Sequence, residues 1–560
     1  MAYKQFLDFL PDLPSYRNEG LVDANNVIPA FKSYKPVRNI ASVSTNALTA
    51  RCQGFSSFRS SSGNITSFAG DATKLYRYQS NTFTDVSGGT TFNTPADNDW
   101  KFTQFGNYII ASNGADAPQV WQLDNSSAWS ALGGSPPTFW HSAVVRNFVV
   151  TGWQSTNRNR IQWSSIGNHA SWTIGTDQAD LETLFDTAEI TGLVGGEFGI
   201  IFGLRKIFQL NFVGGSSIFQ IRTIEQERGC IAHGSLITVG NTTYFLSQDG
   251  FAKTDGESTQ LIGENKVDDF FDNDVDPANL LRITSGHDPL NKLIFWSYPS
   301  TNSSNGNPDK ILVYNYSADR FSTIDIATQL VGSAFTTGTT LEQLDNISTN
   351  IDTGFTDSFD SRVYQGGTLF FSAFDNTNKF ATFSGDILEA TITIGEQEYA
   401  DGKRTFLSEI RPVIDVQPTI KTGTIAITSN TVNGTGTAFL SEIATGDVII
   451  ITDDSSQFNQ VKFTVANVIS DTLLQIVVAS GNVISGVTYS SYKPASINVI
   501  SRERAGGITK QTGFTTCNDN GVATFRQSGR YHKITIKVPS KATFADAMGV
   551  ELDATLDGVQ

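Results

Sequence analysis

The chain has 560 residues, of which 17% are charged and 39% hydrophobic, and a formal net charge of −16. That length exceeds one ordinary core, so about two to four structural units are expected. Its 49 Gly and 39 Phe, with few Ala/Glu/Lys/Leu runs, exclude a long-helix protein and argue for an all-β one. The acidic balance argues against gripping nucleic acid, which needs Lys and Arg clustered against the phosphates.

Residues 1–48 carry prolines, Gly20 and scattered apolar residues without periodicity, and read as an extended arm. Phe6, Leu7, Phe9 and Leu10 have no core of their own there, so the arm is expected to pack on a neighbouring subunit or a partner. Asp8, Pro11, Asp12 and Pro14 interrupt the opening, which therefore does not read as a signal peptide. No stretch approaches 18 apolar residues, so no transmembrane helix is expected.

From residue 49 a hairpin recurs. "KLYRYQSNTFTD" (74–85) places Tyr76, Tyr78 and Phe83 at alternating positions around a polar turn. "QVWQLDNSSAWSAL" repeats it with Trp121 and Trp129, "RIQWSSIGNHASW" with Trp163 and Trp172, and "QLNFVGGSSIFQI" with Phe212 and Phe219. A weaker copy surrounds Phe251, and "ILVYNYSADRFS" (311–322) superposes Tyr314, Tyr316 and Phe321 on the first copy without a gap. A degenerate last copy surrounds Phe380. Most copies follow an apolar run of about five residues, right for a buried strand, such as "GNYIIASNGAD", "FGIIFGLRK" and "NKLIFWSYPS". The unit is then an inner strand, an aromatic strand and an outer strand.

A 40–65-residue period in an all-β chain predicts an irregular β-propeller over 49–395, of about seven blades, with six to eight admissible. Tyr76, Trp121, Trp163, Phe212 and Tyr314 are expected between blades. Residues 331–362 lack clean alternation and read as a long inter-blade loop, in which "TTLEQLDN" could form one helical turn. Beyond it, 396–421 and 490–560 predict a C-terminal β-sandwich-like domain. The Ile/Val/Thr-rich segment 422–489 predicts a small β-barrel inserted into a loop of that domain.

Candidates for chemistry are few. Asp272, Asp274 and Asp276 alternate like the start of a calcium loop, but Pro277 and Ile283 stand where Gly and Glu are needed. His141, His169, His233, His287 and His532 are dispersed, with no HExxH, nucleophile elbow or phosphate loop. Cys52, Cys230 and Cys517 suggest neither a disulfide framework nor a zinc site, and fit a reducing cytoplasm. Asn64 in Asn-Ile-Thr means little without secretion. No catalytic, cofactor-binding or metal residue is assigned, and an enzyme is not expected.

Several stretches together resemble the tail nozzle proteins of short-tailed bacteriophages, also called tail tubular protein B or packaged-DNA stabilisation proteins. They are "PDLPSYRNEGLVDANNVIP", "FAGDATKLYRY", "FTQFGNYIIASNGADAPQ", "IQWSSIGNHASW", "FLSQDGFAKTDG", "LVYNYSADRFS", "TLEQLDN" and "ATFRQSGRYHKITIKVPS". They run in that order over nearly the whole chain, apart from 422–489, which is similar to small barrels on other phage tail proteins. The resemblance implies a virion component assembled in the host cytoplasm. It implies a homohexameric ring with the tail adaptor above and fibre, spike or needle proteins around or below. Duplex DNA would pass through the lumen without tight binding. The alternative from another class is a propeller that binds glycans, or a tail-borne glycan depolymerase.

Overall fold

The computed structural model describes residues 2–215, 217–336, 367–453 and 457–557. Seven four-stranded antiparallel units follow one another, which makes the first large body a seven-bladed β-propeller. The first strands of the blades are Gly54–Arg59, Lys101–Phe105, Phe139–Val145, Ile190–Val194, Ile237–Val239, Thr284–Asp288 and Leu330–Phe335. First strands of neighbouring blades touch one another, so they line the axis. The apolar runs read as inner strands are therefore second strands.

The innermost strands share no residue pattern from blade to blade: Gly54–Arg59 and Lys101–Phe105 carry two Phe each, whereas Thr284–Asp288 has none and is tightly packed. At Gly286, in the first strand of blade 6, a Cβ would lie 2.4 Å from the Phe371 ring and 3.4 Å from the Gly332 backbone of blade 7. The last blade takes its fourth strand from the other end of the chain: Ala41 and Ser42 pair with Thr382 and Ala381.

Seven apolar clusters, one per blade interface, close the ring. Trp121 meets Phe68 across blades 1 and 2 at 5.0 Å, and Trp163 meets Phe219 across blades 3 and 4 at 5.0 Å. Tyr76 packs with Phe374 and Phe380 of blade 7, and Tyr314 lies 6.0 Å from Tyr244 of blade 5. Phe212 is half-buried against Phe148, so all five expected rings stand between blades. A blade has two apolar faces and only a neighbour can cover them, which is why the aromatic rows recur.

The two hairpins that superposed without a gap differ in register. Tyr78 pairs with Phe83 around a two-residue turn, Ser80 and Asn81, both with positive φ. Tyr314 itself pairs with Phe321, because the second hairpin has a four-residue turn ending at Asp319 (φ 55°). The segment 337–366, which holds the expected "TTLEQLDN" turn, lies outside the described residues. Leu330–Phe335, just before it, is the first strand of blade 7 rather than loop.

Blade 6 does not end at its fourth strand. Arg320–Asp325 is followed laterally by Leu21–Asn25, Ala390–Gln397, Tyr531–Val538 and Ser496–Arg502, which makes one sheet of propeller and C-terminal domain. The strand Ala390–Gln397 thus crosses the expected boundary at 395. A second sheet, built on Thr405–Val416, Phe544–Leu556 and Ala523–Gly529, faces the first across a shared core that includes Leu407, Ile534, Val550, Trp296 and Tyr314. The inserted unit reaches beyond 422–489: its six-stranded sheet begins at Thr419–Ile420, takes in Tyr489–Tyr492 and ends at Thr424–Thr435, so consecutive strands form its two edges and it curls around its own core.

The N-terminal arm is woven into its own chain. Ala2–Gln5 pairs with Phe544–Leu556, and Phe6 and Phe9 are 0% and 2% exposed in the shared core. The expectation that these residues pack on a neighbour is corrected: the sandwich is incomplete without them. Asp12 caps the short helix Asp268–Asp274, accepting from the amides of Phe270 (2.8 Å) and Asp269 (3.1 Å).

Candidate functional site

The first strands of blades 2 and 3 bring unusual side chains to the axis. Asp99 and Lys101 flank Trp100 at the start of one, and Trp140 and His141 lie in the next. His233 enters from the one-turn helix His233–Ser235 ahead of blade 5. The Lys101 ammonium lies 2.8 Å from Asp99 Oδ2. The Trp140 indole donates to Asp99 Oδ1 at 3.0 Å, and His233 Nε2 lies 3.4 Å from that oxygen. Trp140 stacks on His141 with centroids 4.9 Å apart and meets His233 at 4.3 Å.

Both imidazoles are buried, 3% and 5% exposed. Burial pushes the His141 pKa well below its ordinary value, with Lys101 and His233 adding to the push. Burial likewise lowers His233 to about 4, and Asp99 opposes it. For Asp99 burial pushes up, but the Lys101 ammonium and then His233 outweigh it and hold the carboxyl at about 2. At neutral pH the cluster is one ion pair beside two neutral imidazoles. Nε2 of His141 has no hydrogen-bond partner, although buried polar atoms nearly always have one.

Two cavities meet at these imidazoles. One, of about 270 Å³, is lined by Lys101, His141, Ser142, His233 and Thr238 with Leu193 and Leu236. The other, of about 200 Å³, adds Trp140, Trp153, Arg158 and Glu189. Trp153 has φ 56°, rare for a bulky residue and of order 1–3 kcal/mol in cost. Its indole donates to Glu189 Oε2 at 3.3 Å, and Arg158 sits 5.0 Å over its ring. Strain of this kind concentrates where a backbone must present a side chain.

The residues singled out from sequence scatter. Asp274 accepts from Tyr298 and Lys310, each at 2.8 Å, and Asp276 caps a 3₁₀ turn through the amide of Ala278. Among the described residues no three His, Cys, Asp or Glu converge as a metal would require. His532 is held by Ser501, Thr405 and the Gly529 carbonyl. His169 lies against Tyr108, and His287 against Tyr316. Asn64 donates to Asp124. Cys52, Cys230 and Cys517 are buried free thiols whose burial raises them to about 12, 11 and 11, which makes them poor nucleophiles.

Only His141 and His233 are brought together, and Asp99, Lys101, Trp140 and Trp153 were missed. The repeat held the signal: Lys101 and His141 stand one period apart on equivalent first strands, which were not recognised as strands.

The fold and its axial cluster define a seven-bladed β-propeller fused to a β-sandwich. No protein-family model matches the chain, and no curated protein matches it. A chain of the mitotic checkpoint complex is similar at 12% identity over 63% of this chain and 96% of that one, with a TM-score of 0.30. The Pan2 WD40 domain of Neurospora crassa is similar at 9% identity over 62% and 95%, with a TM-score of 0.34. An extracellular domain from B. thetaiotaomicron is similar at 8% identity over 71% and 46%, with a TM-score of 0.37. Likenesses this distant carry no argument about activity. No helix among the described residues is long and apolar enough to cross a membrane.

Proposed function

We propose that the chain is a structural subunit of the tail nozzle of a short-tailed bacteriophage, a hexameric conduit through which the DNA is retained and then ejected. One observation carries the reading: three of the resembling stretches meet at one seam. "PDLPSYRNEGLVDANNVIP" supplies Leu21–Asn25, "LVYNYSADRFS" supplies the outer strands of blade 6, and "ATFRQSGRYHKITIKVPS" supplies Ala523–Gly529 and Tyr531–Val538. They are the residues that fuse arm, propeller and sandwich into one body, as a part under internal pressure requires. The net charge of −16 suits a channel in which phosphates meet like charge and slide.

Electron microscopy of the purified protein, alone and with its virion's adaptor, tests this. Six-fold rings that dock on the adaptor, with negligible duplex-DNA affinity at physiological salt, are expected. A particle that stays monomeric beside the adaptor, or tight salt-sensitive DNA binding, overturns it.

A second reading, a glycan-binding propeller or depolymerase, is favoured by one groove. Phe185 is 88% exposed beside Glu182 and Asp186, over a hollow of about 390 Å³ floored by Trp163 and Phe219. Hydrolysis of a bacterial surface glycan, lost in Phe185→Ala, would decide for it.

A further inference from the structure

Among the described residues the two most exposed phenylalanines are Phe185, at 88%, and Phe31, at 75%; the next, Phe514, is at 46%. Phe31 stands at the apex of a tight turn between Val27–Pro29 and Tyr34–Pro36, closed by the Ala30 amide on the Ser33 carbonyl at 2.9 Å. Turns favour Gly, Asn, Asp, Pro and Ser, so turn chemistry does not call for a phenylalanine there. Asn315 donates to the Pro29 carbonyl at 2.8 Å and Arg320 to that of Ala30 at 2.7 Å, which pins the turn to the outer hairpin of blade 6. Lys32 and Lys35 beside it are exposed, and neither forms an ion pair with another described residue. Phe185 follows the last strand of blade 3, Asp180–Thr183. Leu184 before it is buried and bonded to Asn159 through both its amide (2.9 Å) and its carbonyl (3.0 Å), so the chain holds the phenyl ring outward. The 390 Å³ hollow beneath has Glu182 and Asp186 in its lining and no Lys or Arg. Asp186 has Lys206 at 3.8 Å, and Glu182 forms no ion pair with another described residue.

One surface is thus an apolar knob beside two cations, the other an apolar hollow beside two carboxylates. They lie two and a half blades apart, from the boundary of blades 3 and 4 to blade 6, which at ~51° per blade is about 130° around the axis. A closed ring of six sets the two neighbours of each member ~120° apart. We propose that Phe31 of one copy seats in the Phe185 hollow of the next, with Lys32 and Lys35 facing Glu182 and Asp186. The contact is heterologous: every copy offers one knob and one hollow, so the contacts run head to tail and close into a ring. The two phenyl rings with Trp163 and Phe219 form the dry centre of the interface, and the charges form its rim. Both loops are already held in place, so docking immobilises little. The inference rests on the ring of the nozzle reading, and a filled hollow leaves no room there for a glycan.

The test is mass photometry and electron microscopy of the full chain, alone and with its virion's adaptor, over a concentration series. Phe31→Ser and Phe185→Ser should each weaken ring assembly at least about thirtyfold, the loss of one hot spot. Both side chains are exposed, so each variant should melt as the wild type does. An equimolar mixture of the two is expected to stop at dimers, because the intact knob of one fits the intact hollow of the other and no further contact remains. Lys32→Glu should weaken assembly, and adding Glu182→Lys to it should restore part of the loss. Rings that persist unchanged in both phenylalanine variants overturn this contact and leave the nozzle reading standing. So does a mixture that yields no dimers. A wild type that stays monomeric beside the adaptor overturns both.

Discussion

Arg320 is the pin that fastens the arm to the propeller, and Arg320→Met measures what the pin is worth. The residue opens the last strand of blade 6 and is 4% exposed. One terminal nitrogen donates to the carbonyl of Ala30 at 2.7 Å; the other donates to those of Phe6 and Leu7 at 3.2 and 2.6 Å. Nε lies 2.9 Å from Asp8, and the guanidinium sits 4.6 Å over Tyr34. Asp8 is about half exposed and rehydrates when freed, so it adds little. Leu7 keeps the Tyr34 hydroxyl at 2.9 Å. The carbonyls of Phe6 and Ala30 lose the guanidinium, at about 1–3 kcal/mol each, and the ring contact adds about 1 kcal/mol. The expected loss is about 4 kcal/mol in urea unfolding, with faster proteolysis within residues 1–33. Arg320→Lys keeps the charge but cannot span both carbonyl groups, and should lose about half as much. A loss under about 1 kcal/mol with the arm still protected would refute the reasoning.

Three further outcomes follow from the geometry. His233 titrates near 4 when folded, against about 6.5 unfolded. Its contribution is therefore whole above pH 6.5 and is lost as the pH falls toward 4, roughly 2–3 kcal/mol by pH 4.5. Asp23 and Asp268, raised by burial to about 6, oppose this by taking up protons in the folded state. The check is thus a difference: between pH 7 and 4.5, His233→Gln should lose roughly 2–3 kcal/mol less than wild type in urea unfolding, and parallel losses would contradict it. Gly134→Ala forces a Cβ to 2.1 Å from the Ala170 carbonyl at φ 79°, and should cost about 2 kcal/mol or more, read from the denaturant midpoint. Thr419 and Ser491 are ladder partners, ~5 Å apart, so joining them through Gly-Ser in place of 420–490 should leave the remainder with one cooperative melt. A broad, non-cooperative melt would mean that the curled sheet supports its host.

The propeller was legible because its third strands carry aromatic rows at period two, and stacking blades is the one way such rows are all covered. The first strands were silent because they repeat no pattern: one carries Phe55 and Phe58, another Phe102 and Phe105, and at Gly286 there is no room for a side chain at all. Ala41 and Ser42 form too short a strand to carry a pattern, so the ring's closure could not be read. The arm misled through Phe6 and Phe9, whose apolar run has no local partner because its partners lie at the far end of the chain. The axial cluster depends on blades 2 and 3 and the one-turn helix ahead of blade 5 converging, and no spacing rule links His141 to His233. Where the turn length changed, as between Ser80-Asn81 and the turn ending at Asp319, sequence superposition matched the wrong cross-strand neighbours.

The pairing of Lys4 with Val550 has a consequence for the order in which the molecule is born. At about 5–20 residues per second, a ribosome needs roughly half a minute to two minutes to make the strand that the first one waits for. Throughout that interval Phe6 and Phe9 have no core to enter, while blades 1 to 6 can already stack in sequence. Emergence of residues 544–556 is thus the event that lets Phe6 and Phe9 enter their core. A chain stalled before residue 544 would leave Phe6 and Phe9 open to chaperones and proteases.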